Sequence, residues 1–182
     1  MKKILLFSPV LVLLGLAYAF VPKSETEASE NTVESGVKWY TWEEAAQANK
    51  TEKKKFFVDI YTDWCGWCKR MDRTTYRNPE VVKYLNTYFY PVKLNAEQKE
   101  DIKFNGQIFK WKPGGKNGIH SLAYSLVDGQ LSYPTVVYLT ENFERIMISP
   151  GYKQPKGVMK ELKFAAEERY ASTSWNDYQR EN

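Results

Sequence analysis

Apolar residues first arrive as one block. After Lys2 and Lys3, residues 4–20 read ILLFSPVLVLLGLAYAF and are almost wholly hydrophobic. The pattern then inverts. PKSETEASENTVESGV, at 22–37, is polar, acidic and free of aromatics, so 20–37 reads as a flexible linker. From Lys38 onward the spacing is that of a folded domain. Thr41 and Glu44 in TWEE form a capping box, which predicts a helix to about residue 50. FFVDIY, at 56–61, is a continuous apolar run broken by one carboxylate, and it suits a central strand buried on both faces. A helix is predicted from about Gly66 to Thr74. Asn78 caps the next helix, with Pro79 at its first position. FYPVKLN, at 89–95, is a second strand.

The segment 96–132 is less regular. Apolar residues flank Asn105-Gly106, a strong hairpin signal, and IHSLAYSLV places Ile119, Leu122, Ala123 and Leu126 on one helical stripe. TVVYL, at 135–139, is a third strand, and FERIMI returns as a fourth after a turn at Glu141-Asn142. Gly151 ends it. KGVMKELKFAAEERYA is an amphipathic helix, and 173–182 reads as a polar tail. The order of elements predicts an α/β domain over 38–172 with a central sheet flanked by helices.

Composition adds constraints. The chain has 182 residues and a formal charge of +4, to which Lys2 and Lys3 contribute. The longest basic run after them is Lys53–Lys55, which reads as a solvated helix end and leaves no nucleic-acid footprint. The basic start, the apolar block and the small-x-small site Ala17-Tyr18-Ala19 predict a signal peptide over 1–19 and an exported, periplasmic protein. The alternative is an uncleaved N-terminal anchor, since Ile4 to Val21 is nearly long enough to span a bilayer; Ser8 and Pro9 weaken it. No cysteine precedes Cys65, which excludes a lipobox anchor. Export puts the cysteines where disulfides persist.

Both cysteines of the chain lie in WCGWCK, at 64–69. Four jobs fit such a pair. A structural zinc site needs four ligands, and only His120 is left to add. Covalent haem needs a histidine after Cys68, where the chain has Lys69. A staple closing so short a loop stabilises little. Redox exchange is favoured. Cys65 would stand at a helix N-terminus, where unpaired N–H groups stabilise the thiolate, so it is the expected nucleophile. Cys68, one turn in and less exposed, is the expected resolving thiol. Trp64 and Trp67 flank the pair and either desolvate it or simply pack.

FFVDIYTDWCGWCK resembles the active-site strand and helix of the thioredoxin superfamily, over roughly residues 38–170. The resemblance implies that fold, with 96–132 as an extra hairpin and helix before a cis-proline loop. It implies a redox disulfide between Cys65 and Cys68, with no cofactor and no metal. Asp59 falls where thioredoxins bury an acid that moves a proton, and Lys93 of PVKLN falls beside it. The period of two agrees, since Asp59 shares a face with Phe57 and Tyr61, and Lys93 with Phe89 and Pro91. Pro134 of YPT falls at the cis-proline, where Tyr133 would offer its backbone to substrate; Trp64 and Trp67 join them as expected substrate contacts. Gly151 matches a glycine near the last strand. Trp67 departs from the usual thioredoxin proline.

YTDWCGWCKRMDRTTYRNPEVVKYLN resembles, more narrowly, an exported branch that includes the C-terminal periplasmic domain of the DsbD reductase. That implies protein thiols and disulfides as partners, and a membrane electron donor of the DsbD type. The expected function is therefore an exported thiol–disulfide oxidoreductase working as a reductase. An isomerase or oxidase, and a non-catalytic binding module, are the alternatives. The 96–132 insertion is expected to select partners, and removal of Asp101–Pro113 is expected to leave the fold intact. His120 is expected to cap or pack.

Overall fold

The structure, a computed structural model, describes residues 36–181. The predicted signal peptide and nearly all of the predicted linker lie outside them. Helix α1 (Trp42–Thr51) opens with the capping box: Thr41 accepts from the Glu44 N–H, and the Glu44 carboxylate accepts from the Thr41 N–H. Strand β1 (Lys55–Tyr61) leads into helix α2 (Gly66–Arg73), and a 3-10 turn follows at Thr75–Arg77. Helix α3 (Pro79–Tyr88) starts on its proline with Asn78 capping, and strand β2 (Phe89–Asn95) follows directly.

The insertion supplies short strands β3 (Ile102–Phe104), β4 (Gln107–Phe109), β5 (Trp111–Lys112) and β6 (Ile119–His120), then helix α4 (Ser121–Leu126). Strands β7 (Thr135–Leu139) and β8 (Arg145–Pro150) and helix α5 (Pro155–Ala166) complete the core. The main sheet has the order β2-β1-β7-β8. β2 runs parallel to β1, while β7 is antiparallel to both β1 and β8. This mixed sheet with helices against it is the thioredoxin-type architecture that the resemblance implies.

β1 is buried on both faces, and the period of two divides its side chains. Phe56, Val58 and Ile60 join Trp42 of α1 and Leu122 and Ala123 of α4 in one core. Phe57 joins Met71 of α2, Leu85 of α3 and Leu162 of α5 in the other. Asp59 therefore lies on the same face of β1 as Phe57, the face of the second core.

Five expectations need correction. The β3–β4 hairpin is part of the core: Ile102 is buried, and Phe104 packs edge-on against Trp42 at 5.2 Å and on Phe143 at 4.5 Å. Isolated short strands are marginal in water, so this hairpin needs the α1 face to exist, and that face needs it as cover. The tail is also structured. Residues Trp175–Glu181 form helix α6, because Trp175 and Tyr178 rest on Phe164 at 5.2 and 5.1 Å. β8 begins at Arg145, since Phe143 takes a left-handed φ of 66° in the turn. α5 stops at Ala166, just ahead of left-handed Glu168. At the other end the fold starts slightly before Lys38, with Val37 packed on the second core and Asn86 donating to the Gly36 carbonyl.

Candidate redox site

β1 delivers the cysteine motif to the start of α2. Cys65 is the N-cap residue, and its Sγ accepts the Cys68 N–H at 3.0 Å. A helix N-terminus leaves such N–H groups without intrahelical partners, so a sulfur fills the place a Ser or Asp oxygen usually takes. Cys65 and Cys68 are joined in a disulfide, with Cα atoms 5.3 Å apart. The expected contrast in exposure is not present in this oxidised state, where Cys65 is 4% and Cys68 2% exposed. The Cys65 sulfur faces the helix, bonded to Cys68 and accepting its N–H. The solvent-facing surface belongs instead to Trp64 and Trp67, at 61% and 56% exposed. Simple burial of these two rings is thereby ruled out.

The tryptophans form two separate walls. Trp64 meets Tyr133 edge-on at 5.7 Å, and its indole N–H donates to Glu97 at 2.8 Å. Asn117 of the insertion donates to the same carboxylate oxygen at 3.0 Å, so the insertion reaches the site through Glu97. Trp67 turns to Tyr152 at 5.1 Å, and the Arg70 guanidinium lies over both rings. The Tyr133–Pro134 peptide is cis, and the Gly151 N–H donates to the Pro134 carbonyl. The four residues read from the sequence as substrate contacts thus divide: Trp64, Tyr133 and Pro134 are contiguous in the chain or in space, while Trp67 belongs to the second wall.

Asp59 and Lys93 sit in register across the parallel β1–β2 pair, and Lys93 Nζ is 2.6 Å from Asp59 Oδ2. Asp59 Oδ1 is buried without a hydrogen bond. Burial raises the Asp59 carboxyl above its ordinary range, outweighing the pull of Lys93. Burial works to lower Lys93, but the two carboxylates beside it more than offset that and raise it. The second of these is Asp72 of α2, 2.5 Å from Lys93 Nζ. Trp39, Tyr61 and Tyr76 surround the ammonium, with ring centroids 4.8, 5.0 and 5.3 Å away. Such rings attract a desolvated cation.

Sequence reading missed Asp72, Glu97, Asn117, Tyr152 and the aromatic cage. Helical period alone was enough to find Asp72, because Cys68 and Asp72 at i, i+4 share a face of α2. Nothing in the linear pattern joins Glu97 to Trp64, or Tyr152 to Trp67. His120 caps α4, its Nδ1 accepting from the Leu122 N–H, and burial lowers its pKa. It is a capping residue.

A cysteine pair at a helix N-terminus, on the helix that follows a strand bearing a buried acid, fits a thiol–disulfide oxidoreductase. Among the described residues, no helix is long and apolar enough to cross a membrane.

Among solved structures, the chain is similar to a DsbH oxidoreductase, with a TM-score of 0.53 and 14% identity over 78% of this chain and 92% of that one. It is also similar to a thioredoxin-fold protein from Helicobacter pylori, with a TM-score of 0.57 and 16% identity over 83% of this chain and 89% of that one. At these identities the likeness shows the fold. Spermatogenesis-associated protein 20 of Mus musculus is 33% identical over 67 residues, 36% of this chain and 8% of that protein. The match thus spans less than a tenth of the length of that much longer relative. Residues 24–181 match the profile of the Thioredox_DsbH family, described as a protein of unknown function, DUF255. The chain belongs to the Thioredox_DsbH family, within the thioredoxin superfamily.

Proposed function

We propose that this protein is an exported thiol–disulfide oxidoreductase that reduces protein disulfides through Cys65 and Cys68. The observation that carries the reading is the Cys65 sulfur held as the N-cap of α2, accepting the Cys68 N–H. On reduction, that N–H and the helix terminus favour a thiolate at Cys65. The thiolate attacks one sulfur of a substrate disulfide. A mixed disulfide forms at Cys65, and the other substrate sulfur leaves as a thiolate. Cys68 then gives its proton to Asp59 and attacks the Cys65 sulfur. The Cys65–Cys68 disulfide forms, and the second substrate sulfur departs. Two electrons pass from the dithiol to the substrate.

Trp64, Trp67, Tyr133 and Pro134 are the substrate-facing residues of this reading, and Lys93 tunes Asp59. A membrane donor of the DsbD type returning the electrons, and export itself, rest on the sequence. Lys2, Lys3 and Ala17-Tyr18-Ala19 support export, and they lie outside the described residues.

Equilibration with glutathione buffers tests the direction. A reductase is expected to lie more negative than about −200 mV, whereas a value near −120 mV, the range of strong oxidants, overturns that direction. Insulin reduction by dithiothreitol tests the exchange. Cys65→Ser matching wild type in that assay overturns exchange and leaves a binding module. In the reduced protein, iodoacetamide is expected to alkylate Cys65 before Cys68, as mass spectrometry of native-state time points will show. Earlier labelling of Cys68 inverts the two roles.

A further inference from the structure

The Lys93 ammonium does not belong to Asp59 alone. It lies between Asp59 of β1 and Asp72 of α2, at 2.6 and 2.5 Å, inside the cage of Trp39, Tyr61 and Tyr76. The two carboxylates differ in setting. The Asp59 side chain is 1% exposed and that of Asp72 42% exposed. Asp72 also occupies the last turn of α2, which ends at Arg73. A carboxylate is disfavoured there, because the helix C-terminus is the negative end. Local helix energetics therefore give no reason for an acid at 72; Lys93 does.

We propose that Asp72 is a positioning residue for thiol–disulfide exchange: by sharing Lys93 it denies the Asp59 carboxylate an undivided counter-charge and sets the pH at which Asp59 accepts the Cys68 proton. The proposal rests on the reading of Asp59 as the base for Cys68. The geometry gives it a path, since Cys68 and Asp72 lie four residues apart on α2 and Asp72 is tied to Asp59 through a single ammonium.

The ionisable groups around Asp59 come from six elements. Lys93 comes from β2, Asp72 from α2, Tyr76 from the 3-10 turn, Tyr61 from β1, and Tyr138 from β7, with Glu161 of α5 hydrogen-bonded to it. Burial and nearby carboxylates push the tyrosines up, so they stay neutral over the working range. Glu161 accepts from Tyr138 and Ser149 and pairs with Lys153. That leaves Lys93 and Asp72 as the charges that act most directly on Asp59. Burial raises Asp59, the Lys93 charge opposes this, and the Asp72 charge adds to the rise.

Asp72→Asn removes that repulsion and leaves the ammonium to Asp59. The 42% exposed helix position tolerates the change, and Asp72→Glu serves as the charge-retaining control. Two readouts apply to the reduced protein. One is the Asp59 carboxyl carbon shift, titrated by NMR. The other is the rate at which Cys68 resolves a mixed disulfide at Cys65, acid-trapped and counted by mass. In Asp72→Asn both midpoints are expected to fall by roughly one pH unit, with Asp72→Glu close to wild type. An Asp59 titration unchanged in Asp72→Asn overturns the proposal. Asp59→Asn, run alongside, tests the base reading separately. If it resolves at the wild-type rate while the Asp59 titration still moves in Asp72→Asn, the base reading fails and the hold of Asp72 on Asp59 stands.

Discussion

Asp59→Asn is expected to form the Cys65 mixed disulfide at nearly the wild-type rate and to resolve it about a hundredfold more slowly at neutral pH, the usual contribution of a positioned base. The two steps part because they draw on different groups. The first uses the α2 N-terminus, where the Cys68 N–H faces the Cys65 sulfur. The second needs a proton removed from Cys68, deeper in the helix. Asp59 suits this: burial raises its carboxyl, and Oδ1 is not occupied by Lys93. Stopped-flow tryptophan fluorescence with acid-trapped intermediates separates the steps. Equal resolving rates for Asp59→Asn and wild type across pH 6 to 9 reduce Asp59 to a structural residue.

The same substitution carries a stability signature. A carboxyl raised on folding holds its proton in the native state at pH values where the unfolded chain has released it. The native state then binds more protons, so stability falls as pH rises from the unfolded value of 3.8 toward the raised native value. Above that value the loss is complete. Asp59→Asn removes this slope, and Lys93 retains Asp72 as partner, so no uncompensated charge is left behind. The variant is expected to denature at higher urea concentration than wild type at neutral pH, and to lose that advantage below pH 4. A neutral-pH midpoint lower than wild type contradicts this account.

Replacing Asp101–Pro113 by a short Gly/Ser link is expected to abolish the cooperative fold. The deletion removes Ile102, Phe104 and Phe109, all packed on the core that holds Trp42, Leu122 and Val137. Truncating one such residue costs about 2–4 kcal/mol. Losing three at once approaches the 5–15 kcal/mol that holds a whole domain together, taking about that range as typical. The deletion also uncovers Trp42 and Phe143, which Phe104 now covers. Thermal unfolding followed by near-ultraviolet circular dichroism is the measure. Ile108→Ser, at an exposed position of the same hairpin, is the control expected to melt with wild type. A deletion variant that melts cooperatively within a few degrees of wild type would return the hairpin to the status of a detachable insertion.

The sequence by itself determined the elements whose signals are local. The capping box at Thr41 and Glu44, Asn78 with Pro79, the buried run 56–61 and the Asn105-Gly106 turn each fix their own backbone through nearby groups, and each is found where the pattern places it. It also determined that Cys65 and Cys68 form a pair at a helix start, and the strand periods brought Asp59 to the face on which Lys93 meets it. Tertiary structure alone decided the rest, because those choices depend on which surfaces meet. The hairpin's apolar residues look like those of any exposed ribbon until α1 is laid against them. Trp175 and Tyr178 turn a polar tail into helix α6 only because Phe164 offers a place to dock. Glu97 meets Trp64 across a gap of 33 residues and Asn117 meets Glu97 across 20, where no local pattern operates. The second carboxylate on Lys93 has the same origin: α2 must first pack on the sheet before Asp72 can reach an ammonium that begins on another strand.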